Sequence, residues 1–132
     1  MSAILGISGV FLYSDDCVAL KDWYAATLGL DLACWGEGTC YGQDFLHVLP
    51  DGTKSHTVFS IQKPAAPLGT APKSCMVNWR VGDMDTFLAE LATKGITPEK
   101  REDSDYGRFA WILDPEGNKL ELYQPLQEPG SL

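Results

Sequence analysis

The sequence is poor in positive charge and in histidine: 10 Lys and Arg stand against 18 Asp and Glu, and there are only 2 His. The net charge of −8 repels phosphate backbones and anionic lipid, so we expect neither nucleic acid nor a membrane as a partner. No apolar run has membrane-spanning length, and the first thirteen residues lack the basic segment and cleavage site of a secretory leader. These absences predict a cytoplasmic protein that binds a small molecule or another protein.

Sequence signatures of several enzyme classes are also missing. No Ser-His-Asp or Cys-His constellation is visible by spacing, and Gly36-Glu-Gly38 is typical of a turn rather than of a phosphate-binding loop. The four cysteines, Cys17, Cys34, Cys40 and Cys75, contain no CxxC pair. A chain of this length does not need disulfides for stability, so we expect reduced thiols rather than disulfides or zinc ligands.

An internal repeat is present. Val10–Asp16 is an apolar strand that runs into acidic helix-capping residues, and Val77–Asp83 has the same pattern 67 positions later. After each, apolar residues recur at helical spacing until a glycine, Gly29 or Gly95, ends the helix. Strand-like segments follow at about 31–36, 40–49 and 55–62, and again at about 97–103, 108–113 and 118–124. The sequence therefore predicts an α+β protein of two βαβββ modules in tandem.

These modules fit one domain over residues 1–132. The hydrophobic content of 45% is enough for a sizeable core in a chain of this length. The predicted boundaries are about 1–62 for module one, 63–73 for a proline-containing linker and 74–125 for module two. Residues 126–132 are predicted to be a loose tail.

Motifs in both modules match a known superfamily at its usual spacing. They are Asp16…Trp23-Tyr24…Leu28-Gly29-Leu30 in the first module and Tyr106-Gly107-Arg108…Leu113-Asp114-Pro115-Glu116-Gly117-Asn118…Leu120-Glu121-Leu122 in the second. The chain resembles the vicinal-oxygen-chelate superfamily of glyoxalases, bleomycin-resistance proteins and extradiol dioxygenases over nearly its whole length. The resemblance implies that the modules form a cupped mixed β-sheet whose concave face holds the ligand. It also implies a homodimer, because a second chain completes the cup in many members.

The resemblance identifies four positions where metalloenzymes of this superfamily usually have His or Glu ligands. They correspond to Gly9 and Ser60 in the first module and to Met76 and Glu121 in the second. Glycine has no side chain, a thioether selects soft ions, and one carboxylate cannot hold a transition metal tightly. We therefore expect no metal and no other cofactor.

Period-two alternation in the predicted strands identifies candidate residues for the cup. It places Gly9, Phe11 and Tyr13 on one face, as it does Met76, Asn78 and Arg80, and Lys119, Glu121 and Tyr123. Trp35, Tyr41 and Trp111 are predicted as further walls, and Gly9 is predicted to leave space for a ligand ring. The candidate ligand-binding residues are Phe11, Tyr13, Trp35, Met76, Asn78, Arg80, Trp111, Glu121 and Tyr123. Their mixture of aromatic and polar groups suits a partly apolar small molecule.

Three functional hypotheses follow, together with a purely structural interpretation. The first is a metal-independent binding protein, similar to bleomycin-resistance proteins. The second is a glyoxalase- or dioxygenase-like metalloenzyme with unconventional ligands such as His47 and His56. The third is a metal-free lyase or isomerase with Glu121 as the catalytic general base. In the structural interpretation the tryptophans are core residues and Arg80 only pairs with a neighbouring acid.

Overall fold

The computed structural model describes residues 7–68, 75–105 and 107–126. The chain divides into two compact units, Met1–Ala71 and Pro72–Leu132, each with one helix and a four-stranded sheet. The elements are β1 (Gly9–Tyr13), α1 (Cys17–Leu28), β2 (Ala33–Trp35), a 3-10 turn (Gly36–Gly38), β3 (Cys40–Val48), β4 (Lys54–Gln62), β5 (Met76–Arg80), α2 (Met84–Thr93), β6 (Lys100–Asp103), β7 (Gly107–Leu113) and β8 (Lys119–Pro125). The predicted α+β fold of two βαβββ modules is confirmed. Residues 69–73 of the predicted linker, Tyr106 and the tail residues 127–132 lie outside the described residues.

The two sheets have the same strand order and mixed pairing. The order is β1-β4-β3-β2 in the first unit and β5-β8-β7-β6 in the second. In each unit the first strand pairs in parallel with the last, and the remaining pairs are antiparallel. The register repeats as well, since Phe11 lies opposite Ser60 and Asn78 lies opposite Glu121.

Both helices begin and end with the chemistry that the sequence predicts. The Asp16 carboxylate accepts a hydrogen bond from the Ala19 amide at 3.1 Å, and Asp83 accepts one from Thr86 at 3.2 Å. Gly29 ends α1 in the left-handed region, with a φ of 72° that favours glycine. In the part of the chain that is described, no helix is long and apolar enough to cross a membrane.

The core of each unit lies between its helix and one face of its sheet. In the first unit the ring of Tyr24 on α1 lies 5.2 Å from that of Phe59 on β4.

In the second unit the Asp85 carboxylate joins α2 to the sheet, with its oxygens 2.7 Å from Arg101 Nη1 and 3.1 Å from Arg108 Nη1. The hydrogen bond and charge of Arg101 hold the pKa of the Asp85 carboxyl below its usual value. Each sheet therefore has one face covered by its own helix.

The turn between β7 and β8 depends on one buried carboxylate. Asp114 accepts hydrogen bonds from the Glu116 and Asn118 amides, both at 2.8 Å, and from Asn118 Nδ2 at 2.7 Å. Gly117 completes the turn with a φ of 83°. The turn predicted from Asp114-Pro-Glu-Gly117 is confirmed.

We expect Asp114→Ala to lower the free energy of unfolding by about 2–4 kcal/mol, because three hydrogen bonds to a charged group are lost. Asp114→Asn keeps one acceptor oxygen and should lose clearly less. Urea unfolding of the three proteins measures both differences. An alanine variant as stable as the parent would contradict this role of the carboxylate.

Candidate functional site

The face of each sheet that lies opposite its helix is called here the open face. On β1, Leu12 points towards the helix and is 7% exposed, whereas Phe11 and Tyr13 on the open face are 52% and 51% exposed. On β8, Leu120 and Leu122 are buried, while Glu121 and the other odd-numbered residues are partly or fully exposed. The alternation predicted for these strands is confirmed.

The open face of the second sheet carries a carboxylate held by an amide. Asn78 on β5 and Glu121 on β8 are paired across the two strands, and Asn78 Nδ2 donates to Glu121 Oε2 at 2.8 Å. Trp111 on β7 lies opposite Glu121 on the other side. An amide, a carboxylate and an indole therefore lie side by side on three neighbouring strands of this face.

Three near-parallel aromatic rings, called here the aromatic row, lie on the same face. The ring of Phe109 is 5.0 Å from that of Tyr123 at an interplanar angle of 21°, and 6.2 Å from that of Trp111 at 13°. All three side chains are half-buried. Phe109 is not among the residues predicted from the sequence, although alternation from Trp111 in the predicted strand 108–113 indicates it. The aromatic row offers a stacking surface next to the Glu121 carboxylate.

Gly107 makes this arrangement of rings sterically possible. It lies on β7 two residues before Phe109, on the same face, and a Cβ there would be 2.6 Å from Cε1 of Tyr123. The same Cβ would be 3.3 Å from Cε2 of Phe109. A side chain at position 107 would therefore push the Tyr123 ring out of its stacked position.

Arg80 is at the edge of this face, where β5 ends. It lies opposite Tyr123, is exposed, and forms no ion pair with any residue that the structure describes. With Asp83 and Glu90 it also lines a shallow depression of about 320 Å³ at the start of α2. The interpretation of Arg80 as one partner of a cross-sheet ion pair finds no support among the described residues.

In the first unit, aromatic rings lie over glycines of the open face. A Cβ on Gly42 would come within 2.2 Å of the Trp35 indole, and a Cβ on Gly9 would be 2.9 Å from Cζ of Phe11. The expectation that Gly9 leaves space for a ligand ring is therefore wrong, because the Phe11 ring already covers that position. Trp35 lies on the open face, and its role as a wall of a ligand site stays a prediction.

Two other expectations for the first unit are corrected by the register of β3 and β4. Tyr41 lies opposite the buried Ile61, and Lys21 Nζ on α1 is 5.0 Å from its ring centroid. Tyr41 is therefore on the helix-covered face and is not a wall of the open face.

The histidine pair is the second correction. His47 lies opposite Ser55 and His56 lies opposite Leu46, so the two imidazoles point to opposite faces of the sheet. His47 Nε2 instead lies 2.9 Å from Thr57 Oγ1. These two histidines cannot act together as the unconventional metal ligands of the second hypothesis.

Similar solved structures share this architecture over nearly the whole chain. An antibiotic-binding protein, TnmS3 from Streptomyces sp. CB03234, is 25% identical, with 95% of this chain and 99% of that chain covered and a TM-score of 0.65. A lactoylglutathione lyase from Agrobacterium tumefaciens is 17% identical over 93% and 96%, with a TM-score of 0.67. A glyoxalase/bleomycin resistance protein/dioxygenase from Nocardioides is 17% identical over 100% and 92%, with a TM-score of 0.69. The chain has the vicinal-oxygen-chelate fold. No protein-family model and no curated protein sequence matches it.

The residues at the metal positions of the vicinal-oxygen-chelate fold do not fit a metal ion. Gly9 offers no donor and is covered by the Phe11 ring. Ser60 is 0% exposed, and its hydroxyl oxygen accepts a hydrogen bond from Gln62 Nε2 at 3.1 Å. Met76 and Glu121 complete the set. Among the described residues, no group of three or more His, Cys, Asp and Glu side chains could hold a metal ion. A single carboxylate is too few donors for a tight transition-metal site.

Proposed function

We propose that this protein binds a partly apolar small molecule without a metal ion, on the open faces of its sheets. The observation that carries the proposal is the open face of the second sheet. There an aromatic row lies next to Glu121, whose carboxylate is positioned by Asn78. A largely apolar surface with a few oriented polar groups is the usual composition of a small-molecule site.

Exposed apolar side chains of the first unit support the same proposal. Phe11 and Tyr13 are about half exposed, and Trp35 is 37% exposed, so these rings contribute little to the core beneath α1. Large apolar groups that cluster on one face without burial are typical of interaction surfaces. We propose that they form an apolar contact surface for a small molecule on the first sheet.

The similarity to TnmS3 gives independent support. TnmS3 is an antibiotic-binding protein, and the 25% identity extends over 95% of the present chain. We infer by analogy that this chain also binds a small organic compound. Metal independence rests on the donor chemistry at positions 9, 60, 76 and 121.

The proposal is tested by thermal-shift screening of a chemically varied compound library. We expect compounds that raise the melting temperature of the parent and lose this effect in Arg80→Ala and Glu121→Ala. Asp22→Ala, an exposed acid on α1, is the control and should keep every response. If each stabilising compound acts equally on all four proteins, the assignment of the open face is wrong.

Metal independence is checked on protein purified without a histidine tag. Elemental analysis should find no stoichiometric Zn, Ni, Fe or Mn, and addition of EDTA should leave ligand-induced stabilisation unchanged. Stoichiometric metal would contradict the proposal. Three expectations stay predictions: a general-base role of Glu121, a homodimer and a cytoplasmic location. Sedimentation equilibrium tests the homodimer.

A further inference from the structure

We propose that the ligand is a flat, fused-ring aromatic cation that stacks on the aromatic row and donates an N–H to Glu121. This inference rests on the proposed function and specifies the chemical class of the compound that is bound. Its basis is the shape of the aromatic row, the unpaired charge beside it and the glycine that permits the stacking.

The shape of the aromatic row favours a flat ligand. Tyr123, Phe109 and Trp111 lie within 21° of parallel along the row, at centroid separations of 5.0 and 6.2 Å. Offset-stacked rings prefer such separations, so a ligand ring that adopts the same orientation extends the stack as its next member. A saturated ring has hydrogens above and below its mean plane and cannot approach to the same distance.

The charge at the Trp111 end of this face favours a cation. Arg80, which also has no ion pair among the described residues, lies at the other end of the aromatic row, opposite Tyr123. Lys100 and Lys119 each have a glutamate within 4 Å, namely Glu102 at 3.9 Å and Glu99 at 3.8 Å. Glu121 has no such ion pair among the described residues, and its hydrogen-bond donor there is the neutral amide of Asn78. A donor on the ligand therefore meets an uncompensated carboxylate next to Trp111, where a charge-assisted hydrogen bond is stronger than a neutral one.

The face of Trp111 already attracts a cation. The Lys100 ammonium lies 5.7 Å from the centroid of the indole, a distance typical of a cation–π contact. A flat cation that stacks on this indole replaces that contact with a larger one, since it combines ring overlap with the same electrostatic attraction. The net charge of −8 also increases the local concentration of cations at low salt.

Gly107 is assigned as a positioning residue for the aromatic row. A methyl group there would be 2.6 Å from Tyr123 Cε1, so Gly107→Ala forces this ring away from Phe109 while every aromatic residue stays in the chain. Gly107→Ala therefore tests whether binding depends on the alignment of the rings, because no ring is removed.

The experiment uses proflavine, a planar tricyclic cation with amino donors, and follows tryptophan fluorescence and calorimetric heat. Dicyclohexylamine is the non-aromatic cation for comparison, and 9-anthracenecarboxylate is the planar anion. We expect proflavine to bind at least 10-fold more tightly than either. Equal affinity for dicyclohexylamine would overturn the requirement for a flat ring, and equal affinity for the anion would overturn the requirement for positive charge.

Variants locate the binding on the aromatic row. Trp111→Leu should weaken proflavine binding at least 10-fold, Trp111→Phe should restore most of it, and Gly107→Ala should weaken it several-fold. Glu121→Gln should weaken it about 5-fold or more and reduce its dependence on salt. Tyr41→Leu, which removes an aromatic ring from the helix-covered face, is the control and should bind as the parent does. Each variant is first shown to unfold cooperatively without ligand.

The outcomes separate this inference from the proposed function. If proflavine binding is unchanged in Trp111→Leu and Gly107→Ala, the aromatic row is not its site and the inference is wrong. If the library screen yields only non-planar compounds whose effect depends on Glu121, the proposed function stands and the ligand class is wrong. If no compound depends on Glu121 or Arg80, both fail.

Discussion

Replacing Leu122 with alanine is expected to lower the free energy of unfolding by about 2–5 kcal/mol, the usual range for a fully buried leucine. Leu122 is 0% exposed and points from β8 into the core beneath α2. Its neighbour Tyr123 points to the open face, so Tyr123→Ala should cost only about 1–2 kcal/mol, mainly the aromatic contact with Phe109. Ligand-induced stabilisation should show the opposite order. It should persist in Leu122→Ala at temperatures where that variant is folded and be lost in Tyr123→Ala.

The pair is measured by urea unfolding and by thermal shift with the same stabilising compound. Since the two positions are adjacent on one strand, a general disturbance of β8 would affect both proteins in the same way. Equal losses of stability, or loss of the ligand response in Leu122→Ala alone, would contradict the division of this sheet into a core face and a ligand-binding face.

Ser60→Glu is expected to lower the free energy of unfolding by about 3 kcal/mol or more, because a larger and charged group enters a filled position. Ser60 is 0% exposed and lies between Phe11 and Gly42 in the register of the sheet. The Trp35 indole covers Gly42. The loss of stability should become smaller as pH falls, because protonation removes the buried charge of the introduced side chain.

Chemical unfolding of Ser60→Glu at several pH values measures this effect, with Ser60→Ala as the control. The alanine variant loses only the hydrogen bond from Gln62 and should stay within about 1 kcal/mol of the parent. A Ser60→Glu protein as stable as the parent would mean that this position is still open to a carboxylate, and it would weaken the argument for metal independence.

Much of the fold was predictable because its signals are local. Asp16 and Asp83 cap helices through amides three residues away, and Asp114 accepts from amides two and four residues away. Alternation on β8 depends only on the pleat, which is why Glu121 and Tyr123 were placed correctly on the open face. These interactions require no knowledge of distant strands.

The errors arose where strand register or side-chain rotamer decides the result. The face on which Tyr41 lies depends on how β3 pairs with β4. The turn before β3 contains a non-glycine residue with positive φ, Glu37 at 58°, so alternation cannot be continued through this turn from β2 to β3. The orientation of His56 relative to His47 depends on a single-residue offset across the hairpin. The position of the Phe11 ring over Gly9 is a rotamer choice that residue spacing does not reveal.

The rings that lie over Gly9 and Gly42 also determine how this protein can be altered by laboratory evolution. A library that randomises position 9 alone places every new side chain against the Phe11 ring, and position 42 has the same conflict with Trp35. Because residues in contact have non-additive effects, variation at 9 together with 11, or at 42 together with 35, can reach combinations that single substitutions cannot. Paired libraries are therefore the appropriate design for changing the open face of the first sheet.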